Sequence, residues 1–204
     1  MTKLDLKREL AHLYNPSAKE VSVVDVPPLN FIMLDGAGDP NTAVEYHQAL
    51  EALYSLAYTI KFACKKQLGT DYVVPPLEGL WWTPNMAEFS MDAKEAWQWT
   101  MMIMQPAPVT AELVAASLAE AQRKKPSPAL DKIRFEAYHE GLCVQIMHIG
   151  PYEAEAPTIA RLHAYAADHG YALAGKHHEI YLGDPRRTTP DKLKTVLRQP
   201  VHKP

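Results

Sequence analysis

An α+β fold made of two pseudo-symmetric halves is what this sequence predicts, on three observations. Stretches rich in β-branched and aromatic residues alternate with stretches whose apolar residues recur at helical spacing. The order strand, helix, strand, strand occurs twice, offset by about 110 residues, with the linker KKPSP between the two occurrences. Two such units can pair their antiparallel sheets and leave a shared central ligand cleft at the junction. The chain of 204 residues is read as one domain, long enough for one substantial core. The first half covers about 20–105, a linking helix about 110–125 and the second half about 130–200.

The first half opens on VSVVDVPPLNFIMLDG, Val21 to Gly36, β-branched but interrupted by Pro27 and Pro28, which predicts an edge strand or a broken strand pair. After the loop AGDPN, Thr42 and Glu45 form a capping box. Ala49, Leu50, Leu53, Leu56, Ala57 and Ile60 then continue a helix to about Leu68, where Gly69 stops it. Strands follow around Leu77 to Trp82 and around Ala96 to Met104. The Ala-, Leu- and Glu-rich stretch from about Thr110 to Arg123 is the linking helix.

In the second half, IRFEAY and LCVQIMHIG are joined by turn-like residues, His139 to Gly141, and predict a hairpin. Pro157 suits a first helical turn, Ile159, Leu162 and Ala166 carry the apolar stripe, and Gly170 ends that helix. YALAGKHHEIYLG reads as one strand, and KLKTVLRQPV, after the turn DPRRTTP, as the last.

Composition excludes several classes of function. With 21 basic against 24 acidic residues and a net charge of -3, no basic stripe is available for a phosphate backbone, so direct nucleic-acid binding is not expected. The segment MTKLDLKREL lacks the apolar run of a secretory signal and no later stretch reaches membrane-spanning length, so a cytoplasmic protein without membrane contact is expected. Cys64 and Cys143 sit in apolar segments and read as buried thiols. His177, His178 and Glu179 do not form a metal site, because neighbours on a strand point apart; no metal and no cofactor are expected. DGAGDP lacks phosphate-loop spacing, and there is no nucleophile elbow.

Two groups of residues remain as candidates. Alternation along HHEIYL puts His177, Glu179 and Tyr181 on one face, which from spacing alone is a solvated strand face or a polar pocket floor. All four tryptophans, Trp81, Trp82, Trp97 and Trp99, fall between Leu77 and Met104 together with Met101, Met102 and Met104. Trp81 and Trp82 must point to opposite faces, so at most one of them enters a pocket; packing explains at least half of these residues, and the rest can stack on a flat ligand.

The stretches HIGPYEAEAP, TIARLHAYAADHGY and HHEIYLGDPRRTTPDKLKTVLRQPV resemble the GyrI-like family, and PPLEGLWW followed by AWQWTMMIMQP resembles its single-domain branch. The resemblance covers roughly residues 20 to 200. It implies a duplicated β-α-β-β module, called SHS2, and a pocket for planar hydrophobic molecules. It further implies either binding alone or, in the single-domain branch, hydrolysis of cyclopropane-bearing alkylators, which would protect the cell from toxic compounds. A gyrase-inhibitor-like interaction protein is the third implied role, but no surface patch in the sequence specifies a protein partner. On this resemblance Glu179 and Tyr181 are the expected catalytic residues. Trp81, Trp82, Trp97, Trp99, Met101, Tyr152 and His177 are the expected ligand contacts, Tyr152 either capping the pocket or stapling the turn. A partly buried carboxylate can deprotonate a water for attack on a strained carbon, and a phenol can hydrogen-bond the oxygen whose charge changes.

Overall fold

The computed structural model describes residues 3–84 and 94–204. Two short helices, α1 (Leu6–Glu9) and α2 (Ala11–Tyr14), precede the first strands, β1 (Ser22–Val26) and β2 (Leu29–Ala37). The long helix α3 (Val44–Leu68) leads to β3 (Leu77–Trp82) and β4 (Gln98–Gln105), and α4 (Ala111–Lys124) bridges to the second half. There β5 (Arg134–Tyr138), β6 (Gly141–Ile149), α5 (Ala156–Asp168), β7 (Ala172–Leu173), β8 (His177–Tyr181) and β9 (Lys194–His202) follow. The strands form one antiparallel sheet in the order β1-β6-β9-β8-β3-β4-β2-β5, with β7 paired to β9.

This order reads as two equivalent runs meeting at the β3–β8 pair, and the pairing there is symmetric about Gly79 opposite Glu179. The predicted α+β fold with two modules and a joint sheet is what the chain forms. The predicted hairpin is not. β5 pairs with β2 and β6 pairs with β1, although only His139 and Glu140 separate β5 from β6. The break at Pro27–Pro28 does the same between β1 and β2. A two-residue link spans at most about 11 Å, so the opposite ends of the strand order are drawn together and the sheet curls.

Three smaller expectations also change. Ala43, not Thr42, caps α3, and no side chain closes that end; Glu45 instead faces Lys132, 3.8 Å away. YALAGKHHEIYLG is split at 174–176 into β7 and β8, which pair with successive stretches of β9, Val201–His202 and Thr195–Arg198. The strand expected from about Ala96 begins at Gln98, because Lys94–Ala96 forms a 3-10 turn.

One face of the sheet carries the long helices. On α3 the residues Ala49, Leu53, Leu56, Ala57 and Ile60 are fully buried against Ile32, Met101 and Ile103. Leu162 and Ala166 of α5 pack on Val144, Ile146 and Leu197. The two helices stand over opposite halves, leaving the centre of this face, at β3 and β8, uncovered by either.

The other face is packed by α1 and α2 and contains a buried charged network. Glu78 accepts a hydrogen bond from Tyr14 (2.6 Å) and pairs with His178 Nε2 (3.0 Å). His178 Nδ1 meets Glu140 (2.9 Å), whose second oxygen accepts from Arg198 (3.1 Å). Arg198 also donates to Gln145 and to the Leu13 carbonyl, and Gln145 donates to the His12 carbonyl. The four charged side chains are at most 2 % exposed. Burial alone would lower the pKa of His178, but the Glu140 charge and hydrogen bonds to Glu140 and Glu78 push it up to about 9. Burial would raise that of Glu140, but His178 and Arg198 hold it down to about 2.

The network should therefore be legible in stability. His178 contributes fully below its ordinary value of about 6.5, and this contribution is lost as pH rises through about 9; Glu140 contributes fully above its ordinary 4.5 and loses this as pH falls toward about 2. Glu140→Gln leaves buried cations short of a partner and should cost about 3–5 kcal/mol in urea denaturation at pH 6. It should also flatten the fall in the wild-type midpoint between pH 6.5 and 9, since His178 then titrates closer to its ordinary value.

Candidate functional site

The uncovered centre of the helix face is a cleft of about 1120 Å³. Its floor is Leu77 and Trp81 of β3 with Glu179 and Tyr181 of β8; one wall is α3, through Tyr46, Leu50, Tyr54 and Tyr58; the other is Tyr152, Glu153 and Glu155 at the entrance to α5. This is where a duplicated sheet must leave a gap, because each helix covers only the half that built it.

Strand alternation aims Glu179 and Tyr181 to the same side, and the side chains bond one another: the Tyr181 hydroxyl donates to Glu179 Oε2 at 2.7 Å. Tyr181 in turn accepts from Trp81 Nε1 at 3.0 Å. The indole, phenol and carboxylate thus form a chain across the β3–β8 junction. Burial, then the Glu179 charge, pushes the Tyr181 phenol well above its ordinary range, so it stays a donor to the carboxylate. The other Glu179 oxygen, Oε1, lies 3.4 Å from His177 Nε2, and the Glu179 side chain is only 12 % exposed. Glu179 is thus not part of a solvated strand face.

Aromatic rings extend from this chain. Tyr152 packs edge-on against Tyr181 (5.6 Å between centroids), Trp97 edge-on against Trp81 (5.4 Å), and Tyr46 lies 6.0 Å from Trp81 at a tilt. Lys94 sits over the Trp97 ring at 5.7 Å.

Of the residues singled out from the sequence, the cleft brings together Glu179, Tyr181, Trp81, Trp97 and Tyr152. Trp82 points to the opposite face, packs with the core there and carries Lys176 over its ring at 3.3 Å. Trp99 is fully buried behind the wall, its indole occupying the space a side chain at Gly36 would need, and it meets the cleft-lining Tyr46 edge-on at 5.3 Å. Met101 is fully buried under Gly79. His177 is 2 % exposed and supports Glu179 from below.

The chain matches the pattern of the family described as the GyrI-like small molecule binding domain over residues 19–202. It belongs to that family. Two solved structures from Listeria innocua are similar over their whole length. An uncharacterized conserved protein is 40% identical with a TM-score of 0.91, and a protein described as a hydrolase is 38% identical with a TM-score of 0.85. In both cases 98% of this chain and 100% of the other are covered. The C-terminal domain of EcmrR, 12% identical with a TM-score of 0.57 over 91% of this chain and 98% of that one, shares the fold. No curated protein sequence matches the chain.

In this GyrI-like chain the cleft also contains residues that sequence reading passed over. Tyr46, Tyr54 and Tyr58 stand 8 and 4 residues apart on α3, on one flank beside the apolar stripe; that helical spacing was the available signal. Glu155 had none, since a glutamate at the start of a helix is ordinarily a solvated capping residue. Here it is 1 % exposed. Among the described residues no helix is long and apolar enough to cross a membrane, and no group of three or more His, Cys, Asp or Glu is placed to hold a metal ion.

Gly79 controls the floor. A Cβ at this position would lie 2.8 Å from Trp81 Nε1, 3.1 Å from the Tyr181 hydroxyl and 3.2 Å from Met101 Sδ. Gly79→Ala should therefore displace the indole or the phenol, lower stability by about 1–3 kcal/mol in urea denaturation, and blunt any ligand-dependent change in tryptophan fluorescence.

Proposed function

We propose that this protein takes flat, hydrophobic, electrophilic molecules into the cleft and hydrolyses those bearing a strained cyclopropane ring by adding water to the activated carbon, so protecting the cell from toxic alkylators. The observation that carries the reading is the chain Trp81–Tyr181–Glu179 on the floor of an aromatic cleft. A carboxylate fixed by a buried phenol has one orientation, which is what a general base for a bound water requires. The surrounding rings of Trp81, Trp97, Tyr46 and Tyr152 offer both faces and edges to a planar ligand, which would also hold the electrophile close to the carboxylate. The similarity at 38% identity to a protein described as a hydrolase favours turnover over binding alone.

In this mechanism Glu179 takes the proton of the attacking water. Tyr181 positions Glu179 by the hydrogen bond it donates, and Trp81 fixes Tyr181. No residue of the chain becomes covalently attached, and the chemistry needs no redox partner.

The test is to incubate the purified protein with a cyclopropane-bearing alkylator and follow loss of substrate and gain of water by mass spectrometry. Multiple turnovers are expected in the wild type, with Glu179→Gln slowing them about 10²–10⁴-fold. Tyr181→Phe should have a smaller effect, about 10–100-fold, because the carboxylate remains and only its positioning is lost. Stoichiometric binding with no product in the wild type would make the protein a binder or sequestering protein instead.

A further inference from the structure

Exposed apolar side chains are unevenly distributed on this protein. Of nine large hydrophobic residues that are exposed among the described residues, five, Tyr54, Tyr58, Phe62, Leu68 and Val73, lie on α3 or on the segment that follows it. Phe62 is 63 % exposed and Leu68 49 %, and neither belongs to the core or lines the cleft. Single exposed hydrophobics are ordinary, but a group of them on one side of a helix marks a contact.

The same side carries lysines. At about 100° per residue, Tyr54, Tyr58, Lys61, Phe62, Lys65 and Leu68 fall within an arc of about 120° on α3, turned away from the buried stripe of Leu53, Leu56 and Ile60. Lys66 stands one turn beyond Phe62. Lys3 adds a fourth amine, because the Leu4 N–H donates to the Asp71 carbonyl and the Val73 N–H to the Leu4 carbonyl, which ties the N-terminal segment to the chain after α3. Asp71 meets Lys65 at 3.0 Å and Lys61 at 3.7 Å. One carboxylate among these four amines leaves a local excess of positive charge, which the net charge of -3 for the whole chain hides. Burial, and after it Lys3, lowers the pKa of Lys61 against the opposing Asp71 charge, as expected where like charges are crowded. The patch is also continuous with the cleft. Tyr54, Tyr58 and Val73 are exposed and line it, and Phe62 and Leu68 prolong the same side of α3 past it.

We propose that this side of α3 docks on the surface of an anionic lipid bilayer, with Phe62 and Leu68 entering the acyl boundary and Lys3, Lys61, Lys65 and Lys66 meeting the headgroup phosphates. Aromatic and aliphatic residues interleaved with lysines are what a helix lying in the interface needs, and the lysine stems can lie along apolar surface while their ammonium groups reach outward. The expectation of no membrane contact came from the lack of a spanning or secretory stretch, and a surface contact requires neither. A second copy of the chain fits this face less well: a two-fold contact centred on Phe62 would bring Lys61, Lys65 and Lys66 against the same lysines of the other copy. Docked in this way, the residues shared by the patch and the cleft stand beside the lipid. A hydrophobic guest dissolved in the bilayer then reaches the rings of Tyr58 and Tyr54 without first crossing bulk water. Membrane contact of this kind does not depend on hydrolysis, since a protein that only binds its guest would meet it at the same place.

The experiment is sedimentation of the full chain with vesicles of phosphatidylcholine and phosphatidylglycerol, and with vesicles of phosphatidylcholine alone, at low and at physiological salt, with melting temperatures as the folding control. The wild type should prefer the anionic vesicles and bind them more weakly as salt rises. Phe62→Ala should weaken that binding about tenfold through lost apolar burial. Lys65→Gln combined with Lys66→Gln should weaken it about 25-fold, roughly fivefold for each lysine. Phe62→Trp should add, relative to the wild type, a blue-shifted emission on anionic vesicles that brominated acyl chains quench, which a purely electrostatic contact would not give. Absence of binding to the anionic vesicles at low salt overturns the proposal. So does binding indifferent to Phe62→Ala, which would leave the lysines to an acidic partner, and so does a dimer seen by light scattering that Phe62→Ala dissolves, which would give the face to a second copy. None of the substituted residues lines the cleft, so each of these outcomes is read without reference to turnover.

Discussion

The buried network of Glu78, His178, Glu140 and Arg198 is the constraint on which the arrangement of this protein depends. It gathers one charge from β3, one from β8, one from the two-residue link before β6 and one from β9, and through Tyr14 and the Leu13 carbonyl it fastens the N-terminal helices to the sheet. Two carboxylates face two cations, so no net charge is buried. A set of this kind adds little net stability compared with apolar residues of the same shape, but it is unforgiving of error. A slip of one residue in β8 would turn His178 to the cleft and Glu179 into the core, leaving Glu78, Glu140 and Glu179 with Arg198 as their one cation in the network. The network thus fixes the register that puts Glu179 in the cleft, from the far side of the same strand.

The cleft inherits this precision. Glu179 and Tyr181 sit on a strand whose opposite face is locked by His178 and Ile180, and the bond from Trp81 crosses to the neighbouring strand at the place where the two halves pair. Functional groups on the central strands of a sheet move less than groups on loops. The walls are different in kind: Tyr54 and Tyr58 of α3 are exposed side chains on a helix surface, without the cross-strand bonds that hold the floor.

Much of this was legible in the residues, and the parts that were not have physical reasons. The stripe from Ala49 to Ile60 and the alternation in HHEIYL carry period 3.6 and period 2, which are local properties, so α3 and the shared side of Glu179 and Tyr181 could be read directly. The alternation also separated Trp81 from Trp82, although choosing the cleft-facing member required knowing where α3 lies. The hairpin at His139–Gly141 failed because a short polar link looks the same whether a strand folds back or crosses to a new neighbour. Only the long-range partners, β2 for one strand and β1 for the other, distinguish the two. Glu155 was hidden for the same reason, since its burial is made by contacts with strands far along the chain.

The pairing of Gly79 with Glu179 at the midpoint of the β3–β8 ladder has a last consequence. These positions are related by the approximate two-fold axis between the halves, so an undiverged duplication would have placed the same side chain at both. One half supplies a carboxylate and the other supplies nothing, just as Trp81 stands where its counterpart is Tyr181. The frame is therefore nearly symmetric while its chemistry is handed. Across the middle of the floor a carboxylate stands beside a glycine, and the space the glycine leaves is taken by the Trp81 indole and the Tyr181 hydroxyl, one from each half.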